Sequence, residues 1–144
     1  MILVDSSGWI EHLTDRPLAD QFEKRLATAD LLVPTVVVYE VYKFLRRETS
    51  LDAAERAVVL MQERHVVPLD EQVAIEAADF SLEHGLAMAD AVVYATARHH
   101  DATLVTMDED FRELPGTEVL GGDQVPSGRS ANCRASSRGR RSRG

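Results

Sequence analysis

Short unbroken apolar runs alternate along this chain with longer stretches whose apolar positions recur every three or four residues. Met1-Ile2-Leu3-Val4, Leu31-Leu32-Val33, Val66-Val67-Pro68-Leu69 and Thr103-Leu104-Val105-Thr106 are the runs. Runs of that length, rich in Val, Ile and Leu, predict strands buried on both faces of a parallel sheet. The first is expected in the middle of the sheet, with later strands added on either side. Glu118-Val119-Leu120 is a candidate edge strand.

Between the runs the helical period takes over. Ser6 and Ser7 are placed to cap a helix over residues 8–13, with Trp9, Ile10 and Leu13 apolar. Pro17 suits the first turn of a second helix, whose stripe is Leu18, Phe22 and Leu26. Thr35 opens a long helix to about Arg47 that is apolar nearly all round in its first half, interrupted by Glu40. Such a helix is buried on several sides or packs against another molecule. Ser50 opens a fourth helix to about Arg64, and Asp70 a fifth that stops near Gly85. A sixth spans about Ala87 to His100, and Asp108 to Leu114 fits a helical turn or two. Strands separated by helices mean parallel crossovers, so the predicted fold class is an α/β three-layer α/β/α sandwich around a mostly parallel sheet of four to five strands.

At 144 residues the chain is long enough for one domain with a core of its own. No apolar stretch approaches membrane-spanning length and the amino terminus lacks a signal-peptide layout, so no membrane is expected. The single cysteine, Cys133, can form no internal bridge, which points to a reducing cytoplasm. Charge is unevenly spread. Residues 1–126 hold 10 basic and 24 acidic side chains, and residues 127–144 hold six Arg and no acid. The acidic body argues against broad nucleic-acid binding through phosphate neutralisation, although bound divalent cations can reverse the local potential. From Gly121 the composition turns to Gly, Ser and Arg. The division is therefore a folded domain over 1–121 and a disordered tail over 122–144, either inert or an arm that touches RNA or folds back on the body.

Four acids interrupt apolar surroundings near what should be one sheet edge. Asp5 follows the first strand, Glu40 lies a turn and a half into the helix after the second, Asp90 sits in the first turn of the sixth helix, and Asp108 follows the fourth strand. Open α/β sheets place their ligand crevice at such carboxyl ends. Each acid has a plainer reading: Asp5 and Asp108 as helix caps, Asp90 as a complement to the helix dipole, Asp110 as a surface turn residue. Glu40 is hardest to explain that way. Buried carboxylates must be paired, protonated or metal-bound, and few Arg or Lys are placed to pair with them. Hard oxygen donors without His or Cys favour Mg²⁺ or Mn²⁺, and such a site suits phosphodiester hydrolysis.

Competing chemistries fit less well. A phosphatase opening with this Asp would want a second Asp where Ser7 stands. A receiver domain would need neighbouring acids before its phosphoacceptor strand and a later Lys. No Gly-rich phosphate loop, Gly-x-Ser-x-Gly elbow or Cys–His pairing occurs, and the five His show no metal-ligand spacing.

Met1-Ile2-Leu3-Val4-Asp5-Ser6-Ser7 resembles the opening of PIN domains. Residues 33–41, Val-Pro-Thr-Val-Val-Val-Tyr-Glu-Val, are similar to that family's second-acid segment. Residues 86–97 resemble its third-acid helix, and residues 104–111, Leu-Val-Thr-Met-Asp-Glu-Asp-Phe, its fourth. Order and spacing over about residues 1–121 resemble the VapC-type toxins of toxin–antitoxin pairs. The resemblance implies a Mg²⁺- or Mn²⁺-dependent endoribonuclease acting on RNA, usually a homodimer, and held inactive by a cognate antitoxin. It carries over Asp5, Glu40, Asp90 and Asp108 as the acidic site, with Thr106 a polar neighbour and Ser6 positioning a ligand or water. Met107, where a polar residue is common, and the Arg-rich tail depart from the pattern. The alternative is a noncatalytic PIN-like module that binds RNA or a protein partner. The apolar helix from Val36 to Leu45, with Trp9 and Leu13 nearby, is the candidate dimer or antitoxin surface, or else is simply buried between sheet and neighbouring helix.

Overall fold

The computed structural model describes residues 1–121, and the tail over 122–144 lies outside the described residues. Five strands form one parallel sheet in the order β3-β2-β1-β4-β5. They are β1 (Ile2–Val4), β2 (Leu31–Pro34), β3 (His65–Val67), β4 (Thr103–Thr106) and β5 (Thr117–Val119). The first run is the central strand, as its continuous apolar character predicts. It registers Leu3 against Leu32 on one side and Leu104 on the other, and Val4 opposite Val105. All five of these side chains are fully buried, each burial stabilising the fold by roughly 1.5–3 kcal/mol.

Six helices cover the sheet: α1 (Ser6–Leu13), α2 (Ala19–Leu26), α3 (Thr35–Glu48), α4 (Leu51–Gln62), α5 (Glu71–His84) and α6 (Met88–His99). The path β1→β2→β3 steps one way across the sheet, and β3→β4 returns past β1. Right-handed crossovers therefore put α1–α4 on one face and α5–α6 on the other, the three layers expected. The reversal leaves a topological switch point between the carboxyl ends of β1 and β4, where neighbouring connections run to opposite faces.

Several local expectations shift for identifiable reasons. Asp5, not Ser6 or Ser7, caps α1, because its Oδ1 accepts from the Gly8 N–H at 3.2 Å. Pro17 stands before α2, which starts at Ala19. β3 ends at Val67, since Pro68 has no N–H to extend the ladder. Ser50 and Asp70 cap α4 and α5 as expected, through the N–H groups of Ala53 and Val73. Trp9 is 4% exposed and belongs to the core, not to a surface beside α3. Among the described residues no helix is long and apolar enough to cross a membrane.

Candidate active site

Asp5 leaves β1 at the switch point and is 8% exposed. Its carboxylate is held on both oxygens. Oδ1 accepts from the Ser7 hydroxyl at 2.7 Å and the Gly8 N–H, while Oδ2 accepts from Thr106 Oγ1 at 2.6 Å. Gly8 is required for this cap, because a Cβ there would lie 2.5 Å from Val4 Cγ1 and 2.6 Å from Phe22 Cε1. Burial pushes the Asp5 carboxyl above its ordinary value, and the Asp108 charge pushes the same way. The three hydrogen bonds oppose that shift without cancelling it.

Thr106 is fully buried at the end of β4 and works in both directions. While its hydroxyl donates to Asp5, its oxygen accepts from the Asp108 N–H at 3.0 Å. Asp108 in turn caps the short 3₁₀ turn Glu109–Phe111, its Oδ1 accepting from the Asp110 N–H at 2.9 Å. The plainer reading of Asp5 and Asp108 as caps is met in both, Asp5 at α1 and Asp108 at the 3₁₀ turn.

The other two acids arrive on helices. Glu40 is half-buried on α3, and desolvation raises its pKa, with Ser6 as a hydrogen-bond partner opposing and the Asp5 charge adding. Asp90, in the first turn of α6, is pushed up to about 6. Desolvation is the largest cause, followed by the charges of Asp108, Glu40, Asp5 and Asp110. The charges of the other three predicted acids thus all reach Asp90. Sequence reasoning set Asp110 aside as a turn residue, yet its charge reaches Asp90. The signal was the Asp108-x-Asp110 spacing, which puts a second acid in the turn that Asp108 caps. Ser7 was likewise read only as a cap, and it orients Asp5.

No ion pair among the described residues involves Asp5, Glu40, Asp90 or Asp108. Carboxylates that repel one another, lack a cationic partner and are partly desolvated have the donor chemistry for a hard divalent cation. They do not form a closed cage: among the described residues no three His, Cys, Asp or Glu side chains are gathered as a ready-made metal site. The fit is one of donor type and charge.

A PIN domain model matches residues 2–116. The chain belongs to the PIN domain family. Solved PIN-fold structures show the same architecture. A toxin–antitoxin complex from Klebsiella pneumoniae aligns with a TM-score of 0.73 at 20% identity, covering 83% of this chain and 97% of that one. VapC20 of Mycobacterium tuberculosis, described as a toxin cleaving the sarcin–ricin loop, aligns at 0.70 and 19% identity, covering 83% and 98%. FitAcB from Neisseria gonorrhoeae aligns at 0.57 and 25% identity, covering 75% and 88%. None of the curated proteins compared matches the sequence.

Proposed function

We propose that this PIN domain is a VapC-type toxin, a metal-dependent endoribonuclease that hydrolyses RNA phosphodiester bonds and is restrained by a protein antitoxin. What supports it most is that the charges of Asp5, Glu40 and Asp108 all reach Asp90, while none of the four acids has an ion-pair partner among the described residues. The similarity to structures of toxins and toxin–antitoxin complexes supports the cellular role.

Asp5, Asp90 and Asp108 would be the main ligands of Mg²⁺ or Mn²⁺, with Glu40 binding directly or through water. When bound, the ion supplies Lewis acidity toward the phosphodiester and offsets the charge of the crevice. Thr106 and Ser7 fix the orientation of the Asp5 carboxylate, and Ser6 acts on Glu40. Asp90, raised to about 6 by burial and by its acidic neighbours, has an anionic form that a bound cation would favour over the proton.

For partners, α3 is the favoured surface. Its inner face, Val37, Val41 and Leu45, is buried, so the helix is in part simply core. Its outer face lines an open groove of about 860 Å³ with Val38, Tyr39 and Tyr42 beside Lys43, Arg46 and Arg47. Exposed aromatics flanked by Arg are common at protein interfaces. We assign this face to a second copy or to the antitoxin.

A structured-RNA pool incubated with purified protein and Mg²⁺, Mn²⁺ or EDTA, beside Asp90→Asn, tests the nuclease. Discrete products that need metal and vanish in the variant are expected. The rival reading is a noncatalytic module that binds RNA or a protein. Binding that persists unchanged in chelator, with no cleavage, would decide for that rival.

A further inference from the structure

We propose that His99 and His100, with His65 closing beside them, form a seat for one divalent transition metal ion of the Zn²⁺, Cu²⁺ and Ni²⁺ class, separate from the acidic crevice. Its effect is to tie the end of α6 to the edge strand β3. The five histidines show no ligand spacing along the chain, and the fold supplies the proximity that the spacing lacks.

Ring geometry is the first support. The ring centres of His99 and His100 lie 5.2 Å apart, with their planes at 77°. Two imidazoles on one tetrahedral ion, at a metal–nitrogen distance of about 2.0–2.1 Å, put their ring centres about 5 Å apart. The His65 ring stands 6.3 Å from that of His100, at 76°. That is close to the upper limit, about 6.4 Å, for two rings on opposite sides of one such ion. Among the described residues no three His, Cys, Asp or Glu side chains close round one point. His99 and His100 are therefore the starting pair, and His65, which is exposed, joins them by turning its ring.

The second support lies behind His99. Its Nδ1 is 3.3 Å from Glu76 Oε2, on the neighbouring helix α5. A carboxylate there favours the proton on Nδ1 and leaves the lone pair on Nε2, the arrangement that metal-ligating histidines commonly use. Imidazole donors suit Zn²⁺, Cu²⁺ and Ni²⁺, whereas carboxylates suit Mg²⁺ and Mn²⁺. Position separates the two sites as well. His65 opens β3, and α6 ends at His99 shortly before β4 begins at Thr103. The three rings thus belong to the amino edge of the sheet, whereas Asp5 and Asp108 follow the carboxyl ends of β1 and β4. β3 is three residues long and pairs only with β2, so a tie to α6 secures its free side. His65 and His99 are exposed and His100 is half-buried, so an ion reaches the rings from solvent.

The test is a titration of the full chain, stripped with chelator, with Zn²⁺ in excess Mg²⁺, which competes for the acidic crevice. Isotope-edited spectra of the five histidine rings give the readout. One equivalent of Zn²⁺ should shift His65, His99 and His100 together, with His12 and His84 unmoved as internal references. The unfolding midpoint should rise over the same titration. His99→Gln and His100→Gln should each weaken Zn²⁺ binding about tenfold or more, and Glu76→Gln, which removes only the carboxylate behind His99, about tenfold with the ring shifts retained. Should His100→Gln fail to fold, His99→Gln, at an exposed position, carries the same comparison. Zn²⁺ that perturbs the amides of Asp5, Asp90 and Asp108 but leaves the three rings unmoved overturns the seat. Equal affinity in the parent and the histidine variants does the same. Shifts of His99 and His100 without His65 overturn the tie to β3. One ion per two chains, with a matching rise in sedimentation, assigns the rings to a bridge between copies and overturns the seat within one chain.

Discussion

Thr106 Oγ1 lies 2.6 Å from Asp5 Oδ2, and this hydrogen bond ties the carboxyl ends of β1 and β4 across the switch point. The same hydroxyl oxygen accepts from the Asp108 N–H, so one buried threonine sets the spacing of two candidate metal ligands. Removal of the hydroxyl leaves a buried carboxylate oxygen and a backbone donor short of partners. Thr106→Val should destabilise the fold by about 1–3 kcal/mol in urea unfolding. Thr106→Ser, which keeps the hydroxyl, should lose much less, and a Thr106→Val protein as stable as the parent would refute the linkage.

Asp5→Asn separates the structural role of Asp5 from its chemical one. Asn is as good an N-cap as Asp, so the start of α1 survives, while the buried charge is gone. Thermal unfolding should be unchanged or slightly higher, and metal-dependent RNA cleavage should fall to background. Full cleavage by this variant would remove Asp5 from the reaction.

Gly8 tests the close packing that makes the cap. In Gly8→Ala the new methyl group meets Val4 and Phe22 at 2.5–2.7 Å, both within the core. Overpacking of this kind costs about 1–3 kcal/mol. Unfolding midpoints should show that loss, and an unperturbed midpoint would mean that β1 and α2 separate easily.

The pH dependence follows from Asp90. Its folded pKa, about 6, lies above the ordinary 3.8, so the folded state holds this proton more tightly than the unfolded chain does. The resulting stability is fully present below about 4 and is lost as pH rises through 6. Asp90→Asn should abolish that loss, so the variant gains on the parent in unfolding experiments between pH 4 and 7. Added Mg²⁺ should restore the parent at pH 7 far more than at pH 4.5, because a cation competes with the proton. A parent whose stability rises across this window relative to the variant would contradict the assigned shift.

The groove on α3 makes a separate prediction. Tyr39 is 61% exposed, so Tyr39→Ala should leave unfolding unchanged. It should weaken self-association or antitoxin binding by about tenfold or more if Tyr39 anchors that interface. Sedimentation of the free chain and titration with an antitoxin distinguish the two partners, and unchanged behaviour in both would exclude Tyr39 from the interface.

Much of this protein was legible along the chain. Periodicity is a local property, and it announced the strands, the six helices, the parallel class and the central place of Ile2-Leu3-Val4. The four acids stood out because each breaks an apolar run, and a charge beside a core position needs a reason. Tertiary structure decided what is non-local. Pairing of β1 with β4 brought Asp5 and Asp108 together across 103 residues of chain, and the burial and acidic neighbours that lift Asp90 exist only in space. Helix caps were misassigned among Asp5, Ser6 and Ser7 because all three can accept the same N–H, and only the backbone turn selects one. Trp9 joined the core instead of the surface because the face of so short a helix depends on what packs against it.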